Sequence, residues 1–374
     1  MSPRPETLAV HNADTDSTSG AIVPPISLST TFEYETTGED HPPDQLIYTR
    51  WQNPNRAALE ATLARLEGGA VAHAVSSGSA AMLTIFQALR PGDHIVSSDD
   101  MYFGIRVQLN EFFAPWGLET TYVDMSDLSA VRAAMRPTTK LVILESPTNP
   151  LIRLADIATI AEIAHEAGAA LLVDNTVATP VAQHPIALGA DIVVMSLTKY
   201  IAGHHDVLGG AIIFAEDDEL AERVMRLVRI GGGVLSPMNC WLAARGLQSL
   251  SYRVRAHSEN ALQVACFLAE HPKIERVLYP HHPSHPQNDL ALRQMSLGSG
   301  LMSILVSGGR QAAIDLVNRL ELFTSATSFG GTHSLIEHRE SIEEGSSTPA
   351  NLLRVSIGLE HPADLIADLQ QALA

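Results

Sequence analysis

From about residue 57 onward, short and mainly apolar runs alternate with helix-patterned stretches, and this alternation constrains the fold most. His94–Ser97, Leu141–Leu144, Ala170–Val173 and Ile192–Met195 each read as a buried strand. Runs of this kind lack the regular apolar–polar alternation of a half-exposed strand, so both faces must be covered. Ala57–Glu67 reads as a helix ending at Gly68-Gly69, and Ala80–Leu89 as one ending at Pro91-Gly92. Asp156–Ala167 reads as a helix closed by Gly168. Buried strands alternating with helices predict an α/β fold with a mostly parallel sheet. In such sheets ligands gather at the carboxyl ends of the strands. Past Gly231–Pro237 the texture changes. Residues 239–270 read as one long helical stretch, with Trp241, Leu242, Leu247, Leu250 and Val254 as core positions. The proline-rich Tyr279–Pro286 then leads into a region of short elements, and a domain boundary is expected near 235–250. Residues 1–47 are weakly periodic and read as an extended arm, whose apolar islands Ile22-Val23 and Ile26–Leu28 are expected to pack on something.

Composition narrows the partners. The 374 residues suffice for two domains with sizeable cores. Lys and Arg number 24 against 42 Asp and Glu, a net charge of −18, which disfavours nucleic acid and anionic membranes. Cys240 and Cys266 are the two cysteines and lie far apart, so no disulfide framework or Cys-based zinc site is implied. No apolar run approaches the roughly 18 residues of a membrane span. Met1–Thr7 has no apolar signal-peptide core. A cytoplasmic protein is expected.

Chemistry concentrates at the ends of the apolar runs. Ala169–Val173 leads into Asp174, and Ile192–Met195 into Ser196-Leu-Thr198-Lys199, followed by the Gly-rich Gly203–Gly210. An amine and a carboxylate are thus each delivered by the carboxyl end of a strand, with hydroxyls beside the amine. An enzyme that holds pyridoxal phosphate (PLP) needs this set: a Lys for the Schiff base, an Asp for the pyridine nitrogen and donors for the phosphate. Ser77-Gly78-Ser79 precedes an apolar helix and is a phosphate-site candidate, although a Ser run caps a helix equally well. Asp174 alone also suits a turn, and a lone Lys is usually a solvated charge. Asn149, in the turn Glu145–Pro150, can donate to a ring oxygen of a cofactor. Neither a P-loop nor a strand-linked GxGxxG is present. His281, His282 and His285 have no Cys or carboxylate at ligand spacing and read as a surface loop; His204 and His205 read as structural.

As a set, these segments resemble the Cys/Met-metabolism family of PLP enzymes, which includes cystathionine γ-synthases, γ-lyases and β-lyases, methionine γ-lyases and homoserine-ester sulfhydrylases. The resemblance runs from about Thr7 to the C-terminus. Tyr48-Thr-Arg50-Trp-Gln-Asn53-Pro54 matches the Tyr-x-Arg-x-x-Asn-Pro arm. In relatives its Tyr and Arg reach across a dimer interface, and the Arg binds the neighbouring subunit's PLP phosphate. Ser77, Gly78 and Ser79 match the phosphate loop, Tyr102 the ring-stacking Tyr, Asp174 the pyridine partner, Ser196 and Thr198 phosphate ligands, and Lys199 the Schiff-base Lys. Arg354 matches the Arg that grips the substrate α-carboxylate, and Ser328–Gly331 the loop orienting the amino acid and the Lys. The resemblance implies PLP fold type I, with an arm (1–50), a PLP-binding α/β domain (51–240) and a smaller C-terminal α+β domain (241–374). It also implies a homotetramer built as a dimer of dimers with shared sites.

Departures surround the site. Tyr102-Phe-Gly-Ile-Arg106 stands where relatives read Tyr-Gly-Gly-Thr and then Arg, a spacing about one residue shorter. Thr327 stands where γ-synthases and γ-lyases often carry Glu; Met195 replaces a common His, His205 a common Ser and His333 a common Glu. The parts imply that Lys199 is nucleophile and base, Asp174 ring partner, and Tyr102 with a partner's Tyr48 the acids near the leaving group. γ-Replacement or γ-elimination on a sulfur amino acid or homoserine ester is the first expectation. β-Elimination from cystathionine or cysteine is the second, and amino transfer the third.

Overall fold

The computed structural model describes residues 3–12, 20–34, 45–342 and 348–374. Parts of the expected arm, 13–19 and 35–44, therefore lie outside the described residues. Seven strands form the first sheet: β1 Val71–Val75, β2 His94–Ser98, β3 Glu119–Val123, β4 Thr139–Glu145, β5 Ala170–Asp174, β6 Ile192–Ser196 and β7 Gly210–Phe214. Their order is β1-β7-β6-β5-β4-β2-β3, and only β7 runs against its neighbours. The four expected strands are β2, β4, β5 and β6. Sequence reading missed β1, β3 and β7. β3 is a half-buried edge strand of Thr and Tyr, β1 carries His73 at its centre, and β7 begins at the end of the Gly-rich run Gly203–Gly210.

The pleat explains the apolar runs. In β4, Ile143 packs into one cluster with Phe86 and Val224, whereas Val142 and Leu144 pack into another with Ile160 and Ala164. Alternate residues thus meet helices Gly78–Ala88 and Glu219–Gly231 on one face, and Ile157–Glu166 on the other. The expected helices are present, at Pro54–Glu67, Gly78–Ala88 and Ile157–Glu166, with the last capped by Asp156.

A second sheet follows: β8 Ile274–Leu278, β9 Leu301–Val306, β10 Thr324–Ser325, β11 Leu335–His338 and β12 Leu352–Ser356, in the order β10-β11-β12-β9-β8. Its period-2 alternation positions the site. Leu353 and Val355 pack with residues of helices Leu250–Glu270 and Pro362–Leu373, while Arg354 turns the other way, into a cavity at the edge of the first sheet.

The expected single helix over 239–270 is two helices, Pro237–Leu247 and Leu250–Glu270. Buried Arg253 bridges the break. It donates to the Gly246 carbonyl (2.7 Å), in the last turn before it, and to the Tyr200 carbonyl (2.7 Å). Leu247, Leu250 and Val254 are buried as expected, whereas Trp241 is half-buried and donates its Nε1 hydrogen to the Pro24 carbonyl (3.0 Å). His285, read as part of a surface loop, is buried and bonds through Nε2 to the Ile152 carbonyl (3.0 Å). Among the described residues no helix is long and apolar enough to cross a membrane.

Gly246 marks the closest backbone approach between the helical layer and the segment after Lys199. A Cβ there would lie 2.5 Å from the Ile201 and Ala202 carbonyl oxygens, so the backbones would have to part. Gly246→Ala is expected to destabilise the chain by about 1–3 kcal/mol. A thermal melt indistinguishable from wild type would contradict this packing.

Candidate active site

Parallel register brings three strand ends together. Glu145, at the end of β4, pairs with Asp174, at the end of β5, and β6 ends beside them at Ser196. Beyond these ends lies a cavity of about 330 Å³. Ser77, Gly78, Ser79, Tyr102, Asn149, Asp174, Ser196, Thr198, Lys199, Ser328 and Arg354 all line it, as does Thr327. These are the site residues expected from sequence, save two. Tyr48 and Arg50 do not reach this cavity within one chain. Arg50 donates to the Arg229 carbonyl (2.8 Å) and lies 5.5 Å from the Tyr48 ring.

The anion-binding end begins at helix Gly78–Ala88. Ser77 caps it, its Oγ accepting from the Ala80 amide (3.1 Å). The cap reading of this Ser run is therefore realised, and the first helical amides still face a site with positive partial charge. Close packing keeps this turn on the sheet: a Cβ at Gly210 would lie 2.3 Å from the Ser77 carbonyl oxygen and 2.6 Å from the Gly78 nitrogen. Thr198 Oγ1 donates to the Gly209 carbonyl (3.2 Å), and the Ser196 amide donates to Thr176 Oγ1 (2.8 Å). Hydroxyls, amides and a helix N-terminus thus converge, a donor set suited to a phosphate.

Lys199 Nζ donates to Ser328 Oγ (2.9 Å) and lies 5.1 Å from the Phe329 ring centroid. Burial, reinforced by the Arg354 charge, lowers its pKa to about 8. Ser328 holds a left-handed backbone (φ 79°), a strained conformation for a non-glycine residue, at the contact with the amine. Asp174 accepts from the Thr176 amide (2.9 Å). Burial raises its pKa, and the Thr176 bonds and Lys199 oppose the rise. Glu145 is held well above the usual carboxylate range by burial and by the adjacent Asp174, so it takes the neutral form more readily. Its Oε2 accepts from the Tyr102 amide (3.0 Å), which ties the Tyr102 backbone to the strand ends.

Arg354 is buried and preset. It pairs with Glu337 across β11 and β12 (2.5 Å), donates to the Ser328 carbonyl (2.9 Å) and reaches Asn149 Oδ1 (3.4 Å). Arg339 donates to the same Glu337 oxygen (2.9 Å) and also lines the cavity. Glu145, Thr176, Glu337 and Arg339 were not singled out from sequence. Glu145 stood in view as the last residue of an apolar run, a position that in this sheet points at the site. Glu337 and Arg339 carry no local signal, because only strand pairing sets them beside Arg354. Arg106 is not in the cavity; its Nη2 donates to the Asp99 carbonyl (3.1 Å) and its guanidinium lies 4.6 Å from the Tyr122 ring centroid. His205 lies outside the lining as well, near His333 (ring centroids 6.3 Å apart) and against Gly331.

A lowered-pKa lysine and an aspartate share one cavity with donors suited to an anion and with the buried Arg354. In a chain of this architecture that is the equipment of a PLP-dependent enzyme of fold type I, and the donor set fits the cofactor. The chain belongs to the Cys/Met metabolism PLP-dependent enzyme family, whose model matches residues 6–374. It is 45% identical over 377 residues to a cystathionine gamma-synthase of Mycobacterium tuberculosis, covering 99% of this chain and 96% of that one. It is 41% identical over 368 residues to a cystathionine gamma-lyase of Dictyostelium discoideum, covering 96% of this chain and 94% of the relative. The crystal structure of metB from Corynebacterium glutamicum superposes with a TM-score of 0.96 at 39% identity, over 100% of this chain and 98% of that one.

The lowered Lys199 pKa has a direct consequence. Only the neutral amine captures an aldehyde, so PLP uptake by the apoenzyme should rise with pH and reach half its limit near pH 8. Stopped-flow absorbance of imine formation would measure this; a midpoint near the ordinary lysine value of 10.5 would contradict the burial of the amine.

Proposed function

We propose that this enzyme catalyses γ-replacement on a homoserine ester, joining it to the thiol of a sulfur amino acid, with γ-elimination as the related breakdown reaction. The single observation carrying this reading is the joint lining of one cavity by Lys199, Asp174 and Arg354, in a chain whose cited relatives are a γ-synthase and a γ-lyase. The reaction breaks the ester's Cγ–O bond and forms a Cγ–S bond; the acyl group departs as a carboxylate, and the thiol gives up its proton. Bound PLP supplies an electron sink that makes the protons on Cα and then Cβ acidic.

The chain's own residues do the rest. Ser77, Gly78, Ser79, Ser196 and Thr198 would hold the phosphate, and Asp174 would face the ring nitrogen, where its carboxylate form favours a protonated ring. Tyr102 would cover the ring, and Asn149, which touches Arg354, would contact it from the Glu145–Pro150 turn. Arg354 takes the α-carboxylate through its planar donor fork. Glu337 fixes the fork's direction beforehand, so binding spends little on ordering the side chain. Ser328 orients the amine of Lys199, which moves protons at Cα and Cβ as general base and acid. Tyr102 and a partner's Tyr48 are the acids near the leaving group and donate hydrogen bonds to the departing carboxylate.

Assembly is part of the proposal. Tyr48 and Arg50 lie outside their own chain's cavity, and the arm leaves Ile22 85% and Leu28 67% exposed although Ser27 is pinned by Asn53 and Asn55. Apolar side chains on a backbone held this way suit contact with another subunit. We read the chain as an arm (1–50), a PLP-binding domain (51–240) and a C-terminal domain (241–374), assembled in the cytoplasm as a homotetramer with Tyr48 and Arg50 completing a neighbour's site. β-Elimination is the second reading.

Holoenzyme screened against O-acylhomoserine plus cysteine, cystathionine, methionine and cysteine, with products identified by mass, tests the reaction. Formation of cystathionine with release of the acyl carboxylate is expected; pyruvate and ammonia as the main products would establish β-elimination instead. Lys199→Ala should abolish turnover while the fold survives. Arg50→Ala should lose PLP, and mixing Arg50→Ala with Lys199→Ala subunits should restore one working site per dimer. Absence of any recovery in mixed dimers would exclude shared sites.

A further inference from the structure

We propose, on the reading of Lys199 as the amine that bonds the cofactor, that Arg253 is a positioning residue for it: the Arg253 guanidinium clamps the turn that carries Lys199 and so sets where the amine meets the cofactor's aldehyde. Lys199 sits in the turn that follows β6. Its amide donates to the Ser196 carbonyl (3.3 Å), and its carbonyl accepts from the Gly203 amide (2.8 Å). Arg253 holds the residues just past it. Nη1 donates to the Tyr200 carbonyl (2.7 Å), and Nη2 to the carbonyls of Ile201 (3.3 Å) and Gly246 (2.7 Å). Nε donates to Ser249 Oγ (3.0 Å). One planar group thus ties the two residues after Lys199 to the last turn of helix Pro237–Leu247.

The chain is shaped around this guanidinium. Gly203 closes the turn with a left-handed backbone (φ 72°), and a Cβ there would lie 2.1 Å from Arg253 Nη1. Arg253 is buried, and burial lowers its pKa to about 10. Its charge is met by carbonyl dipoles, a costly way to fill space that an apolar side chain would fill without desolvating a cation. What an arginine adds is a rigid fork of donors that fixes several carbonyl directions at once. Those carbonyls belong to the peptides that follow Lys199, so the fork fixes the backbone at one side of the amine. On the other side Thr198 Oγ1 is held by the Gly209 carbonyl (3.2 Å), independently of Arg253. The phosphate donors Ser196 and Thr198 lie on that second side, so loss of the clamp should disturb the amine and spare the phosphate. Condensation of the amine with the aldehyde, which releases water, is sensitive to such displacement: a shift of about 1 Å between reacting groups costs on the order of a hundredfold.

Two cofactor forms separate positioning of the amine from support of the fold. 4′-Deoxypyridoxine phosphate keeps the ring and phosphate of PLP but lacks the aldehyde, so its binding does not draw on Lys199. Both are titrated into the full-length enzyme stripped of cofactor, following protein fluorescence. Arg253→Met is expected to weaken PLP at least tenfold and the deoxy analogue less than threefold. Equal loss of both ligands, or no loss of PLP, would overturn the proposal. Arg253→Lys keeps the charge without the fork and should lose PLP selectively by a smaller factor; where circular dichroism shows Arg253→Met unfolded, this variant decides by the same comparison. Lys199→Ala should lose PLP affinity and keep the analogue, and adding Arg253→Met to it should cost PLP nothing further. A further loss there would overturn the proposal. Should Lys199→Ala bind PLP as tightly as wild type, the reading of Lys199 falls and this one with it; should it lose PLP while Arg253→Met weakens both ligands alike, only the role given to Arg253 falls.

Discussion

Parallel strand register is the constraint on which this site depends. Hydrogen bonding between β4 and β5 sets Glu145 against Asp174, and the next strand ends at Ser196, three residues before Lys199. None of these side chains chooses its place independently. Once the apolar interiors of the strands are packed between helices, the first polar residue past each must emerge at the same edge. The edge is then shaped from above by the second sheet, whose period-2 alternation sends apolar residues to its helices and Arg354 to the cavity.

Buried charge is managed in two different ways there. Two guanidiniums share Glu337, an arrangement that fixes geometry more than it adds stability, since desolvating three charges offsets most of their attraction. Glu145 and Asp174 are neighbouring acids without such a pair; burial pushes both upward, and the Asp174 charge adds to the rise of Glu145. The Thr176 bonds and the Lys199 charge act on Asp174 and not on Glu145. The two acids are thereby separated in function: one suited to facing a cationic ring nitrogen, the other to holding the Tyr102 amide.

Local pattern carried much of this site. Asp174 and Lys199 were legible because each terminates an apolar run, and the Ser77–Ser79 turn because small polar residues open an apolar helix. Each of these signals spans fewer than about ten residues, the range over which backbone geometry alone places a side chain. The break in the helical stretch 239–270 was not legible from local pattern, and the Arg253 side chain that bridges it also bonds to Tyr200, on a distant segment. Arg106 illustrates the same limit from the opposite side. Its neighbour Ile105 lines the cavity, whereas its own guanidinium lies against the Tyr122 ring.

The amino-acid sequence by itself determined the alternation of strand and helix, the lysine and the aspartate delivered at two strand ends, and the family to which the chain belongs, because these follow from covalent order and short-range periodicity. The tertiary structure decided which charges meet. It paired Glu337 with both Arg354 and Arg339, set Glu145 beside Asp174 and kept Arg50 out of its own cavity. Side chains distant in the chain become neighbours only when strands pair and helices pack.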